Sequence, residues 1–368
     1  MSETQDVVIV GGGIVGLSTA LAAAERGARV IVLEQGKLGR EASWAGAGIV
    51  YAWAPSHAKT GFDWLMAQGA ELHVSTARRL LETTGIDTEF RRSGEILVAK
   101  AEASELDQEL NALNGHGSAA RRITVEQARA LEPELSSALR GAVEVPEVAR
   151  FRPPRHLRAL ELACARAKVR LISDDAVRSI ASKDGRVIGV RTETALYTGD
   201  HVVLAAGAWT AGLLAGLGLN VPIRPLRGQI ALLKTPNPIL QRVISTGYEY
   251  LVPRDDGRVL VGSTREDVGF DKRTTASAIR GLLASAALIA PALEGADVEM
   301  TWSGLRPATP DGMPILGAIP EHAGLWIAAG HTRYGLHLGP ITGAVMTELM
   351  ISGRTEADLS MLALTRFL

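Results

Sequence analysis

Four residues near the start of the chain carry a chemical signal in their spacing. Gly11, Gly13 and Gly16 follow directly on the apolar stretch VVIV, and Glu34 closes a second apolar stretch eighteen residues beyond Gly16. The first glycine lets the chain turn sharply out of a strand, the second lets the backbone approach a pyrophosphate, and the third lets the following helix lie close on the sheet. That helix starts at Ile14 and Val15, where unpaired N–H groups and the positive end of the dipole would face two phosphates. Glu34, with Gln35 beside it, can accept hydrogen bonds from both hydroxyls of an unphosphorylated ribose, which disfavours NADP. Strand, turn, helix, strand and acid in that order predict a bound dinucleotide.

The residues after Glu34 decide which dinucleotide. A nicotinamide dehydrogenase continues with alternating strands and helices. Here GKLGREASWAGAGIV, residues 36 to 50, is instead a loop of small residues open to a large ligand, with Arg40 available for a phosphate. Much later, HVVLAAGAW (201 to 209) reads as a buried strand ending in small residues. GLWIAAGHTRYGLHLGPITGAVMTELM (324 to 350) reads as a strand, a glycine-rich loop and a helix starting near Pro340. Contacts from both ends of the chain suit FAD, whose flavin lies far from its adenine.

Composition narrows the class. A net charge of −1 over 368 residues gives no long-range field to attract nucleic acid, and 46% hydrophobic with 21% charged residues permits two sizeable cores. The single cysteine, Cys164, allows no internal disulfide and no multi-cysteine metal site, and the helical spacing around it makes it a core residue. No metal site is expected. VVIVGGGIVGLSTALAAA is apolar enough to mimic a secretory leader, but Met1 to Asp6 holds two acids and no Lys or Arg. No apolar run reaches the roughly 18 residues of a membrane span, so stable membrane insertion is not expected and a cytoplasmic location is.

The elements that must position these residues interleave along the chain. A helix is expected over 62 to 84, a strand over 94 to 100, and helical segments at 101 to 114 and 125 to 133. The prolines at 153 and 154 mark a helix entry. A three-stranded meander turns at Asp184-Gly185, and a hairpin turns at Asp256-Gly257. We expect residues 1–90, 141–221 and 301–368 to form a discontinuous cofactor domain, with 91–140 and 222–300 forming a substrate domain. His57 and His73 read as surface or interface residues and Trp302 and Trp326 as core, while one of Trp44, Tyr51 and Trp53 is expected to wall the pocket.

Seven segments carry a resemblance that spans most of the chain: GGGIVG (11–16), GREASWAGAGIV (39–50), AAGAWT (205–210), PLRGQ (225–229), YLVPRDDGRVLVGST (250–264), WSGLRPATPDGMPILG (302–317) and GHTRYGLHLGPITG (330–343). In these the chain resembles the glycine oxidases of the D-amino-acid oxidase superfamily. The resemblance implies an α/β flavoprotein of p-hydroxybenzoate-hydroxylase-like type, with a Rossmann-like FAD domain and an antiparallel-sheet substrate domain. It implies oxidative deamination of glycine or another small amino acid, such as sarcosine or a small D-amino acid, with oxygen giving hydrogen peroxide. It also implies a homotetramer and an imine available to thiamine biosynthesis. Similar sarcosine oxidases carry their flavin on a cysteine near the counterpart of LRPATPDG. No cysteine lies there, so noncovalent FAD is expected.

Amino-acid oxidation requires a fixed carboxylate, a neutral amine and an α-hydrogen aimed at flavin N5, and needs no general base. A buried arginine is the natural carboxylate clamp because its planar fork makes two charge-assisted hydrogen bonds. Arg306 is the first candidate, against the alternative of a salt bridge to Asp311. By resemblance, Arg306 and Tyr250 hold the carboxylate and Arg333 lies near substrate and flavin. On the same basis Ala42, Ser43, Ala47, Gly48 and Ile49 line the cofactor, and Val177 meets its adenine half. The backbone of His331, Thr332, Arg333, Tyr334, Gly335, Leu336 and His337 is expected to follow the isoalloxazine edge. Tyr334 and His337 depart from the family's usual Asn and apolar residue and would narrow or polarise the pocket. Two alternatives stay open: a D-amino-acid or D-proline-type dehydrogenase passing electrons to a quinone, and a flavin subunit of a multi-subunit complex.

Overall fold

The strand Gln5–Val10 from Val7 onward and the strand Val30–Leu33 are apolar on both faces because both faces are covered. The computed structural model describes residues 5–51 and 53–368; Met1 to Thr4, where no basic leader is expected, lie outside the described residues. Gln5–Val10 lies between Val30–Leu33 and Leu196–Leu204, all parallel, and the sheet extends to Arg170–Ile172 on one side and to Leu325–Ala329 and Ile315–Ala318 on the other. Alternation along each strand sorts the core. Val7, Ile9, Val30 and Val32 pack with Leu17, Leu160 and Val345 from the helices Ile14–Glu25, Pro153–Arg166 and Gly335–Ser352. Val8, Val10, Ile31 and Leu33 pack on the opposite face with Val187, Val190 and Leu214.

The expected meander is present as Ser179–Lys183, Arg186–Arg191 and Leu196–Leu204, with Asp184 and Gly185 both at positive φ in its first turn. Cys164 is fully buried, as its helical spacing requires.

The second sheet runs Asp297–Ala308, Arg224–Lys234, Arg258–Gly262, Tyr250–Pro253, Val243–Ser245, Glu95–Ala99, Gly141–Val145 and Arg121–Ile123. All neighbours are antiparallel except Val243–Ser245 beside Glu95–Ala99. Its hairpin turns at Asp256 and Gly257 as expected. The helix Ala276–Ile289 covers one face through Leu282, Ala286 and Ile289. On the other face Ile230, Val252 and Leu260 meet Ala47 and Ile49 of the glycine-rich loop. Gly141–Val145 and Asp297–Ala308 are strands of this sheet, so it reaches a few residues past the 91–140 and 222–300 segments. This is a mixed α/β, two-sheet fold with a Rossmann-type nucleotide half. Among the described residues no helix is long and apolar enough to cross a membrane.

Two elements depart from expectation. The last helix begins at Gly335, not near Pro340, and Pro340 lies inside it. His73, expected at the surface or an interface, is only 1% exposed. The two departures have one cause. Pro340 has no N–H to give to the carbonyl of Leu336, and His73 Nε2, from the helix Gly61–Thr84, lies 3.1 Å from that oxygen and 2.9 Å from the carbonyl of His337.

Candidate active site

A single cavity of about 930 Å³ runs from the carboxyl ends of the parallel strands, at Val10, Glu34 and Ala205, to the second sheet at Tyr250 and Arg306. Ligands of open α/β sheets collect at such strand ends. Gly11 has φ +109°, and a Cβ on Gly16 would lie 1.9 Å from the carbonyl oxygen of Gly11. The sharp turn and the close helix therefore both need glycine.

The helix Ile14–Glu25 has no acid in its first turn, and Ile14 N–H donates to Ser43 Oγ at 3.0 Å, which ties the glycine turn to the loop after Arg40. Glu34 accepts from Gly12 N–H at 2.8 Å with one oxygen and from Gly36 N–H at 3.0 Å with the other. Each oxygen keeps a lone pair for a ribose hydroxyl. A cavity of this volume, an acid at one end and a helix N-terminus with no acid in its first turn beside glycines fit FAD as a noncovalent ligand.

At the other end, Arg306 is held by uncharged groups: Nη2 donates to Ser263 Oγ at 2.5 Å and Nη1 to the carbonyl of Thr264 at 3.3 Å. Asp311, the alternative partner, is taken by Arg366 at 2.8 Å. No described carboxylate lies within ion-pairing distance of Arg306. Tyr250 lines the same cavity, its ring packed against Gly262 next to Ser263. Arg333 lies over the rings of Tyr51 at 5.4 Å and Tyr334 at 5.0 Å, and also has no ion-pair partner among the described residues. The field of Tyr51 raises the Arg333 pKa further, and burial pushes the Tyr51 phenol up to about 12. Both stay in their ordinary protonation states at neutral pH.

Most residues singled out from the sequence meet at this cavity. Gly11, Gly13, Ile14, Val15, Glu34, Gln35, Ala42, Ser43, Ala47, Gly48, Ile49 and Val177 line its nucleotide side and floor. Tyr250, Arg306, His331, Thr332, Arg333, Tyr334, Gly335 and Leu336 line the rest, with Tyr51 as the wall aromatic and Trp44 and Trp53 off the lining. Gly16, Arg40 and His337 are not on the lining. Gly16 is packed beneath the turn, and Arg40 lies over the Trp44 ring at 5.6 Å. His337 points away from the cavity: its Nδ1 accepts from Tyr51 N–H at 3.1 Å and its Nε2 donates to Met66 O at 2.7 Å. Burial depresses its pKa to about 3, so it is a neutral staple and does not polarise the pocket. Trp302 is off the lining as expected, donating to the carbonyl of Ala45 at 3.0 Å.

Sequence reasoning missed the supports. Ser263 and Thr264 hold Arg306. Arg254, fully buried, donates to the carbonyls of Ala47 at 2.8 Å and Phe151 at 3.0 Å and so fixes the loop against the second sheet. Gly228 and Gly304 sit opposite one another in the long ladder, where a Cβ would lie 2.3 Å from Arg306 Nη1 or 2.5 Å from Ala45. Glycines inside strand patterns mark close approaches, and that signal was readable in PLRGQ and WSGLR.

Residues 6–349 match the pattern of the FAD dependent oxidoreductase family. The chain is 38% identical to a glycine oxidase of Pseudomonas putida over 96% of this chain and 97% of that protein. It is 35% identical to a glycine oxidase of Geobacillus kaustophilus over 100% of this chain and 98% of that protein. The crystal structure of glycine oxidase from Geobacillus kaustophilus matches it with a TM-score of 0.94 at 34% identity, covering all of both chains.

Proposed function

The chain belongs to the FAD dependent oxidoreductase family, and from that premise we propose that it is an amino-acid oxidase acting on glycine and other small amino acids. The oxidised imine would hydrolyse to the oxo acid and ammonia, with oxygen as the electron acceptor and hydrogen peroxide as its product. Bound FAD supplies a two-electron acceptor for the hydrogen that leaves Cα. The chain's own residues supply placement. Arg306 receives the carboxylate through the N–H groups that Ser263 and Thr264 leave free, and the Tyr250 phenol donates a second contact. The Tyr51 and Tyr334 rings, with Arg333 over them, close the pocket to a small substrate. Gly13, Ile14 and Ser43 hold the phosphates and Glu34 the ribose.

One observation carries this reading: an arginine without a carboxylate partner, fixed by neutral groups, in the same cavity as a nucleotide turn. The test is anaerobic addition of glycine, sarcosine, D-alanine and D-proline to the yellow protein, then admission of oxygen with peroxide detection. Bleaching by glycine or sarcosine with peroxide on reoxidation is the expected result. A reduced flavin inert to oxygen would instead assign a dehydrogenase, and no bleaching by any of the four would sink the reading. A cytoplasmic homotetramer accompanies it on the strength of the resemblance, and sedimentation checks the assembly.

A further inference from the structure

Behind the glycine-rich loop lies a cation that its own contacts do not balance. Arg254 is 3% exposed and follows the strand Tyr250–Pro253, where alternation places it on the same face as Tyr250 and Val252, the face that packs against Ala47 and Ile49. Its guanidinium donates to carbonyls, those of Ala47 and Phe151. The acids next to it in the chain are engaged elsewhere, Asp255 with Arg150 at 2.9 Å and Asp256 with Arg152 at 2.9 Å, and Arg254 enters no ion pair among the described residues. Burial, with the fields of Arg150 and Arg152, lowers its pKa to about 9, so it is charged at neutral pH.

The two acceptors flank Gly48. A Cβ there would lie 2.1 Å from the Phe151 carbonyl oxygen, and Phe151 N–H donates to Gly48 O at 2.8 Å. The Ala47–Gly48 peptide is trans, so its C=O and its N–H point in opposite directions. Arg254 holds that C=O from behind, since Ala47 and Gly48 line the cavity and Arg254 does not. The Gly48 N–H, which donates to no described residue, is thereby turned towards the cavity. A cation and the positive end of a peptide dipole thus bear on one stretch of wall, in an interior where charges are little screened. A buried charge held by neutral groups alone does not recover its desolvation cost from those contacts, and fixed positive charge stabilises negative charge that develops beside it. This wall meets the second sheet, at the end of the cavity away from Glu34.

We propose that Arg254 is a positioning residue for the flavin: by its buried charge and through the Gly48 N–H it favours reduced over oxidised FAD. Two-electron reduction with uptake of one proton adds one negative charge to FAD, and Arg254 supplies the opposing charge. The inference rests on FAD lying in this cavity with its ribose at Glu34, which puts the flavin at the other end, and not on which amine is oxidised. It gives an arginine that touches no substrate a share in how readily the site accepts electrons.

The test compares midpoint potentials of the FAD-loaded protein by dye equilibration, with the flavin reduced chemically so that no amine is needed. Arg254→Lys keeps the charge, and Arg254→Gln keeps an N–H donor without it. In Arg254→Gln the preference for reduced over oxidised FAD should fall about 10-fold, which lowers the potential by about 30 mV, and Arg254→Lys should retain most of that preference. A brace alone would leave both potentials at the parent value or lower them alike, and either result would overturn the proposal. The unaltered protein gives a check that needs no variant to fold. It should bind reduced FAD more tightly than oxidised FAD, so that its potential lies above that of free FAD; a potential at or below the free value would also overturn the proposal. Failure of every amine to bleach the flavin would instead overturn the oxidase reading and leave the potentials standing.

Discussion

Arg306 uses two of its five N–H groups on Ser263 Oγ and the Thr264 carbonyl, which leaves three for a ligand. The tethers fix the plane of the fork before substrate arrives, so little side-chain freedom remains to be lost on binding. A lysine cannot keep both tethers and also present a fork. Arg306→Lys is therefore expected to lower kcat/KM for glycine by about 100-fold, mostly in KM, with an unchanged flavin spectrum. Unaltered steady-state kinetics would remove Arg306 from the site. Glu34 has two tasks under the proposed function: it clamps Gly12 N–H and Gly36 N–H, and it would accept the hydroxyls of a ribose. Removing it should loosen the glycine turn as well as the ligand. Glu34→Ala should emerge from gel filtration with most of its FAD lost and its substrate preference intact; full retention of flavin through the column would contradict the ribose assignment.

At the scale of elements, the site depends on how two helices cross. Gly61–Thr84 and Gly335–Ser352 meet where a Cβ on Gly69 would lie 3.2 Å from the His337 ring. There His73 supplies the hydrogen bond that Pro340 cannot, and His337 returns one to Met66. The carbonyl of Leu336 is the first turn of the helix behind the Arg333 loop, so leaving it unpaired should disturb that loop. His73→Leu is expected to destabilise the protein by about 1–3 kcal/mol, the cost of an unsatisfied buried acceptor. The thermal midpoint measures this, and an unshifted midpoint would show that Leu336 O finds another donor.

This contact also marks where the sequence ceased to be legible. The turns at Asp184-Gly185 and Asp256-Gly257, the strand into Gly11 and the helix after Pro153 are local patterns, and they stand where local rules place them. A proline at the first helical position is the local rule too, and it misplaced the last helix. The residue that makes Pro340 tolerable inside a helix lies 263 positions away from Leu336. Arg306 was legible within the one segment WSGLRPATPDG, while its partnership with Ser263 exists only across the sheet.

The whole molecule carries a pH dependence in its buried imidazoles. His73, His156 and His337 form a cluster from three helices, with ring centroids 6.0 Å apart for His73 and His156 and 6.2 Å for His73 and His337, and Phe151 packs against the His73 and His156 rings. Burial depresses His73 to about 4 and His156 and His337 to about 3. The folded chain thus binds fewer protons than the unfolded chain below the ordinary histidine pKa of about 6.5. Stability should be independent of these groups above that pH, and should fall as pH drops through 6.5 towards 4, by about 1.4 kcal/mol per pH unit for each histidine held neutral. His156 isolates the effect, because neither of its ring nitrogens has a hydrogen-bond partner among the described residues. A phenylalanine would fill the same aromatic site without an unpaired polar group or a titrating one. His156→Phe should match or exceed the parent in stability at pH 7.5, and its loss of stability between pH 6 and pH 5 should be shallower by about 1.4 kcal/mol per pH unit. Urea unfolding at a series of pH values gives both slopes, and parallel slopes would mean that His156 is already charged, or already free to charge, in the folded protein.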